Sequence, residues 1–293
     1  MRRGAEAIGG MLRVQQWYKN LVIFLALFFT KNIFNLELLQ SMVVGFISLC
    51  MVSSAGYIIN DILDIEGDRV HPEKRRRPIA AGRVSVKTAA LISVVLFIAS
   101  VALAYRLSAA FALFPVALIA SSLLYNLWLK NAAIVDIHVI ALNFLLRAVS
   151  GAVLIGAYTS PWLVMTIFFM ALFMAVGKRR AELGMLNQEA VRHKRVYAVY
   201  NERLLDMMVV VITAVFLFTY ILYTFLVHER PYPYMMLTVP FVSFMVFRYL
   251  YFISINHVIA RKTHYVFLDG QMMAGLLMWI AVSFIVMYYL IQV

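Results

Sequence analysis

Asp61, Asp64 and Asp68 stand three and four residues apart in the stretch NDILDIEGDRVHPEKRRRPIAAG, residues 60–82. On a helix that spacing projects all three carboxylates from one face, within about 60° of one another, while Glu66 points elsewhere. Aligned carboxylates repel unless a cation sits among them, and Mg²⁺ shared with a phosphorylated substrate is the usual answer at a membrane boundary. Asn60 can add a neutral carbonyl ligand or a donor. The plainer alternative is a solvated helix end whose acids pair with the cations from Lys74 to Arg77.

Those cations follow at once, in HPEKRRRPIAAGR, between two prolines and ahead of a glycine. Prolines stop the helix and fix the loop, so Lys74 and Arg77 are expected to be held over the acids. Cations beside a metal site read as a clamp for phosphate or diphosphate; a purely topogenic basic loop is the competing reading. A second polar group, VGKRRAEL at 176–183, puts Lys178 and Glu182 on one helix face with Arg179 beside them. A third lies in residues 125–152, where Lys130 precedes an apolar run and Arg147 lies inside one. An arginine in lipid is costly, so Arg147 is expected to line a polar cavity and bind an anion, or else to pair with Asp136.

The elements that must position these groups are membrane spans. Mean hydropathy is +0.87 and charged residues make up 14% of the 293, against roughly 25% in a soluble domain. Apolar runs long enough to cross a hydrocarbon core of about 30 Å recur at 20–36, 39–60, 87–105, 108–128, 134–156, 162–178, 205–227, 233–253 and 271–291. The expectation is an all-α polytopic membrane protein of nine spans, folded as one domain over residues 1–293. No apolar core before a small-residue cleavage site follows Arg2 and Arg3, so a removable signal peptide is not expected, and the first span serves as the insertion signal. Trp17, Trp128 and Trp162 fall near span ends, as interfacial anchors do.

Nine spans put the N-terminus and the loops near 61–86, 129–133, 179–204 and 254–270 on one side, which, with flanking residues, carries 21 of the 26 Lys and Arg. Lys31, Arg106 and Arg230 lie opposite, and Arg147 and Arg248 fall within spans. The rich side is the cytoplasmic one, so the polar groups face the cytoplasm from the cell membrane. The net charge of +12 flanks membrane helices, where headgroups and topology account for it, and no nucleic-acid partner is expected. The single Cys50 sits in an apolar run and reads as a packing residue. GAVLIGA from Gly151 suits close helix packing, either within the chain or between protomers of a homo-oligomer.

NDILDIEGDRVHPEKRRRPIAAG resembles the first aspartate-rich motif of the UbiA-type intramembrane prenyltransferase superfamily, and the nine-span layout agrees. That resemblance implies a helical bundle, Mg²⁺ and a lateral opening for an isoprenoid chain. Where such enzymes carry a second aspartate-rich motif after the sixth span, this chain reads GKRRAEL, with one acid and three cations. Together with QQWYKNLVIF at 15–24, this is similar to the decaprenyl-phosphate phosphoribosyltransferase branch. The branch implies transfer of 5-phosphoribosyl from phosphoribosyl pyrophosphate to a polyprenyl phosphate, releasing diphosphate. On that basis Asp61 and Asp64, with Asn60, would hold Mg²⁺, and Asp68 would bind metal through water or hold a ribose hydroxyl. Lys178, Arg179 and Glu182 would serve the donor, while Lys19, Lys130 and Arg147 would bind phosphate or diphosphate of either substrate. His71 would be structural, and segment 183–204 would order on substrate binding. A conventional prenyltransferase, or a transporter using the acids as an ion site, are the competing readings.

Overall fold

The computed structural model describes residues 9–70, 74–186, 195–226 and 233–290, so His71 and the middle of the 183–204 segment lie outside the described residues. All regular elements among them are helical. A 3₁₀ helix at Val14–Phe24 leads into α1 (Leu25–Phe29). There follow α2 (Leu36–Leu63), α3 (Ile65–Val70), α4 (Val86–Leu107), α5 (Ala109–Leu127), α6 (Val135–Leu154) and α7 (Pro161–Leu186). The chain continues as α8 (Glu202–Leu226), α9 (Val239–Ser254), α10 (Val258–Arg261) and α11 (Gly270–Tyr288).

Among the described residues, eight stretches are long and apolar enough to span a membrane, including α2, α4 to α8 and α11. The expected first span, 20–36, takes a different form: it starts earlier, at Val14, and most of it is 3₁₀. Eleven residues rising about 2 Å each and five rising about 1.5 Å each still reach about 30 Å, the thickness of the hydrocarbon core. Its polar side chains explain the shift. The Trp17 indole donates to Ser54 Oγ at 3.0 Å, Ser54 Oγ donates to the Leu12 carbonyl at 2.8 Å, and Asn20 Nδ2 donates to Cys50 Sγ at 3.3 Å. The segment is therefore laid along α2.

Helix ends follow their capping residues. Asn35 accepts from the backbone N–H groups of Glu37 and Leu38 and starts α2, Ser85 accepts from Thr88 at α4, and Asp269 accepts from Met272 at α11. Ser108 closes α4 and caps α5, so a single extended residue turns the chain between two spans.

The chain forms two compact units, residues 1–129 with 146–157, and residues 130–145 with 158–293. In the first, Ile23, Leu27, Met42, Leu49, Val52 and Phe111 make the core. Small polar residues bring its helices close: the Ser48 and Ser100 hydroxyls each reach the other's carbonyl, at 2.9 and 2.7 Å. In the second, Phe173 packs edge-on against Tyr249 with ring centroids 5.3 Å apart, and Gly177 admits Ile253.

Gly151, one of the small residues read as a packing element, does that work inside the chain. A Cβ there would meet the Ile23 carbonyl oxygen at 2.2 Å, a backbone atom that cannot swing aside. Gly151→Ala is expected to destabilise the protein by about 1–3 kcal/mol, seen as a lower melting temperature in detergent; an unchanged melting temperature would show that the 3₁₀ segment yields freely.

Candidate active site

The aspartate face is built at a helix break. α2 runs through Asp61 and ends at Leu63; Asp64 takes φ −96° and ψ 9°, and α3 begins at Ile65. Backbone bonds from Asp64 N to the Asn60 carbonyl (3.0 Å) and from Asp68 N to the Asp64 carbonyl (2.8 Å) carry the helical turn across the break. Asp61 and Asp68 therefore still face one way, and each is 2% exposed, whereas Asp64 is half-buried at the junction.

Arg77 joins the buried acids. One nitrogen, Nη1, donates to Asp61 Oδ1 at 3.0 Å and to Asp68 Oδ2 at 2.6 Å. Arg13 donates to the same Asp61 oxygen, and its guanidinium lies 5.1 Å from the centre of the Tyr57 ring. Burial lowers the Arg13 pKa from its ordinary value, and the Asp61 charge opposes that shift. Asn60 Nδ2 also donates to Asp61, at 3.5 Å. Arg77 thus closes over the acids from the end of its loop, and Lys74 is half-buried at the start of the 3₁₀ turn before it.

Two buried carboxylates that converge on one cationic atom form a donor set suited to Mg²⁺, which takes one or two carboxylates and completes its shell with phosphate oxygens and water. Among the described residues no three His, Cys, Asp or Glu side chains are gathered to hold an ion by themselves. The convergence is of Asp61 with Asp68, with Asn60 and Asp64 at its edge.

Further along α2, Ser53, Tyr57 and Asp61 recur every four residues on one face, so Ser53 sits about 12 Å below Asp61 along the helix axis. There Arg147 Nε donates to Asn20 Oδ1 at 2.8 Å, and its Nη2 lies 3.5 Å from Ser53 Oγ. Asn20 is 1% exposed. Lys19 is half-buried beside it, with its ammonium 6.0 Å from the Tyr18 ring centre.

In the second unit, α7 extends two turns beyond the apolar run expected at 162–178 and carries the GKRRAEL group. Arg179 is 3% exposed and donates to Asp136 Oδ2 at 2.9 Å and to Glu182 Oε2 at 3.1 Å. Tyr200 donates to Asp136 Oδ1 at 2.7 Å and accepts from the Ile134 N–H at 2.6 Å, while Tyr197 donates to Glu182. Burial first, and then the neighbouring carboxylates, raise the pKa of both phenols, so they remain donors. Asp136 is thereby engaged within its own unit. Lys178, 43% exposed and 3.7 Å from Glu182, is the most exposed cation of this group; Arg180, 14% exposed, pairs with Glu202 and Asp206. Lys130 is half-buried in the 3₁₀ turn Leu129–Asn131.

Sequence spacing missed Arg13, Asn20, Tyr197 and Tyr200. The one sequence signal for the first two was polarity: RVQQWYKN interrupts what should be an insertion segment.

The description of the UbiA prenyltransferase family matches residues 20–268. The chain belongs to the UbiA prenyltransferase family. Its relatives include the decaprenyl-phosphate phosphoribosyltransferase of Mycolicibacterium smegmatis, 35% identical over 188 residues, which are 63% of this chain and 59% of the relative. The decaprenyl-phosphate phosphoribosyltransferase of Mycobacterium tuberculosis is 38% identical over 176 residues, 59% of this chain and 58% of that one. The chain thus spans about three fifths of the length of these relatives. A UbiA homolog from Archaeoglobus fulgidus, solved bound to GPP and Mg²⁺, superposes with a TM-score of 0.67 over 96% of this chain and 99% of that one at 18% identity. The UbiA fold is therefore shown, and with it a multi-pass membrane protein, consistent with the eight apolar helices.

Proposed function

We propose that this UbiA-family chain transfers 5-phosphoribosyl from phosphoribosyl pyrophosphate to a polyprenyl phosphate such as decaprenyl phosphate, with release of diphosphate. The product would be a lipid-linked pentose for cell-envelope glycan synthesis. The carrying observation is the convergence of buried Asp61 and Asp68 beneath Arg77 and Arg13. The names of the 35–38% identical relatives support the choice of substrates. The reading takes residues 1–293 as one catalytic domain in the cell membrane with its reacting groups toward the cytoplasm, as the basic loops favour.

Mg²⁺ at Asp61 and Asp68, with Asn60 and Asp64 adjoining, would supply charge neutralisation for the leaving diphosphate. Arg77 and Arg13 then have the donor's phosphate oxygens as partners and orient C1. The C1–O bond to diphosphate breaks while an oxygen of the lipid phosphate bonds to C1; the electron pair leaves with diphosphate and no proton need move. The buried carboxylates stabilise the positive charge that builds on the ribose ring, by analogy with glycoside chemistry. The resemblance also assigns Lys178 to the donor's phosphates, and Lys130 and Lys19 to a phosphate of either substrate.

The acceptor's tail lies in the bilayer, so its phosphate arrives from the membrane side and meets the deeper cation, Arg147. Asn20→Asp sets a carboxylate against that guanidinium with almost no change of shape. The variant is expected to raise KM for the lipid about tenfold, leaving donor KM and melting temperature near wild type. An equal rise in both KM values, or none, would remove Arg147 from the acceptor site.

The defining experiment is an assay in detergent with Mg²⁺, radiolabelled phosphoribosyl pyrophosphate and a polyprenyl monophosphate. Label entering the organic phase with the intact acids, and not with Asp61→Ala, is the expected outcome. Consumption of a prenyl diphosphate instead would make the chain an ordinary prenyltransferase.

A further inference from the structure

The acid pair leaves much of the surrounding positive charge without a task. Arg13, Arg76, Arg77 and Arg83, with Gln15 and Gln16, line a cleft of about 410 Å³ in the first unit, a volume that suits a small molecule. Arg13 and Arg77 serve as its border with Asp61 and Asp68, since they form the ion pairs to those acids and also the cleft wall. Arg76 and Arg83 are exposed, and Arg83 donates to the Arg76 carbonyl.

The cations stand on a fixed turn. Pro78 and Ile79 are buried, the backbone N–H groups of Arg83 and Val84 both donate to the Pro78 carbonyl at 2.9 and 3.2 Å, and Gly82 takes φ +69° with its N–H on the Ile79 carbonyl. A topogenic loop needs only its charge; this one also fixes the backbone that carries its arginines around a concave space. Guanidinium forks match the oxygens of a phosphate. The glutamine amides add donors and acceptors suited to hydroxyl groups.

A prenyl diphosphate offers one anionic group, and the acid pair with its bordering arginines already accounts for it. A phosphoribosyl donor offers two, the diphosphate at C1 and a phosphate monoester at C5. We propose that the cleft binds a phosphate monoester dianion, the 5-phosphate of the sugar donor, and that Arg76 and Arg83 are what distinguish that donor from a prenyl diphosphate. The assignment rests on the phosphoribosyl-transfer reading above. An anionic lipid headgroup shares the phosphate chemistry but carries a single charge in diester form.

Ribose 5-phosphate tests the site, because it carries the monoester and no diphosphate. In purified wild-type protein it is expected to raise the melting temperature and to compete with the donor. Arg83→Gln and Arg76→Gln are each expected to weaken it about tenfold, while protection by Mg²⁺-diphosphate changes less than about twofold. Ribose 5-phosphate binding that is unchanged in both variants, or lost together with diphosphate binding, would overturn the assignment. So would displacement by soluble dihexanoyl phosphatidylglycerol in place of ribose 5-phosphate. Label transfer by the wild type judges the underlying reaction separately. Transfer with unaltered variants removes only the cleft's role. Arginine-dependent ribose 5-phosphate binding without transfer removes the reaction and keeps the monoester site, and absence of both removes both.

Discussion

Replacing Asp61 with asparagine is expected to lower kcat for phosphoribosyl transfer by about 10³-fold or more. Asp61 Oδ1 is the atom on which Arg13 and Arg77 both converge, and the residue is 2% exposed. An amide there keeps the volume but removes the charge that would hold a divalent ion against a leaving diphosphate. Arg77 retains Asp68 at 2.6 Å, so the loop keeps one of its two anchors. The fold should survive, with a modest fall in melting temperature. A structural salt bridge predicts a different pattern, in which activity falls only as far as the folded fraction does. The second readout is metal dependence: Asp61→Asn should need far more Mg²⁺ for half-maximal rate. Glu66→Gln supplies the comparison, because Glu66 is exposed and paired with Arg69 at 3.2 Å on the outer face of the same turn. It should leave kcat and the Mg²⁺ requirement unchanged. Full activity in Asp61→Asn would remove the acid pair from the chemistry.

The aspartate face could be read from spacing because the chain stays helical across Asp64, and helical periodicity alone puts residues 61 and 68 on one side. Of the cations expected over it, Arg77 was legible for the same local reason, since it lies nine residues beyond Asp68. Arg13 was not: its partner is 48 residues away, and it arrives only because the Val14–Phe24 segment is laid along α2 by Trp17, Asn20 and Ser54. That segment was expected as an ordinary span. Its apolar content was read correctly, but no 3.6-residue pattern reports a 3₁₀ turn, and the hydrogen bonds that favour it reach across to another helix. Arg147 was legible as a costly charge in lipid, whereas Asn20, 127 residues away, was invisible as its partner. The two units divide α6 between Leu145 and Leu146, a boundary that no composition shift marks.

In GKRRAEL the residue types were legible in the sequence and their partners were not. The resemblance to the phosphoribosyltransferase branch implied that Lys178, Arg179 and Glu182 together serve the donor. Arg179, however, is enclosed by Asp136, which is fully buried, and by Glu182, with Tyr200 and Tyr197 donating to the same two carboxylates. A guanidinium satisfied in this way positions its neighbours, and Lys178 is left at the solvent edge. Arg179→Gln is expected to cost about 3–5 kcal/mol, because it leaves the Asp136 charge buried without its cation. For a chain of this size that is a fall in melting temperature of the order of 10 °C. Adding Asp136→Asn to Arg179→Gln should recover much of the loss, since two amides can bond where one charge could not. Lys178→Ala should do the reverse, raising donor KM several-fold at an unchanged melting temperature. Tyr197→Phe and Tyr200→Phe follow Arg179 in kind, each removing one donor from a buried carboxylate. If Arg179→Gln instead folded as well as wild type and lost donor affinity alone, the guanidinium would be a substrate ligand and the pairing with Asp136 would yield on binding.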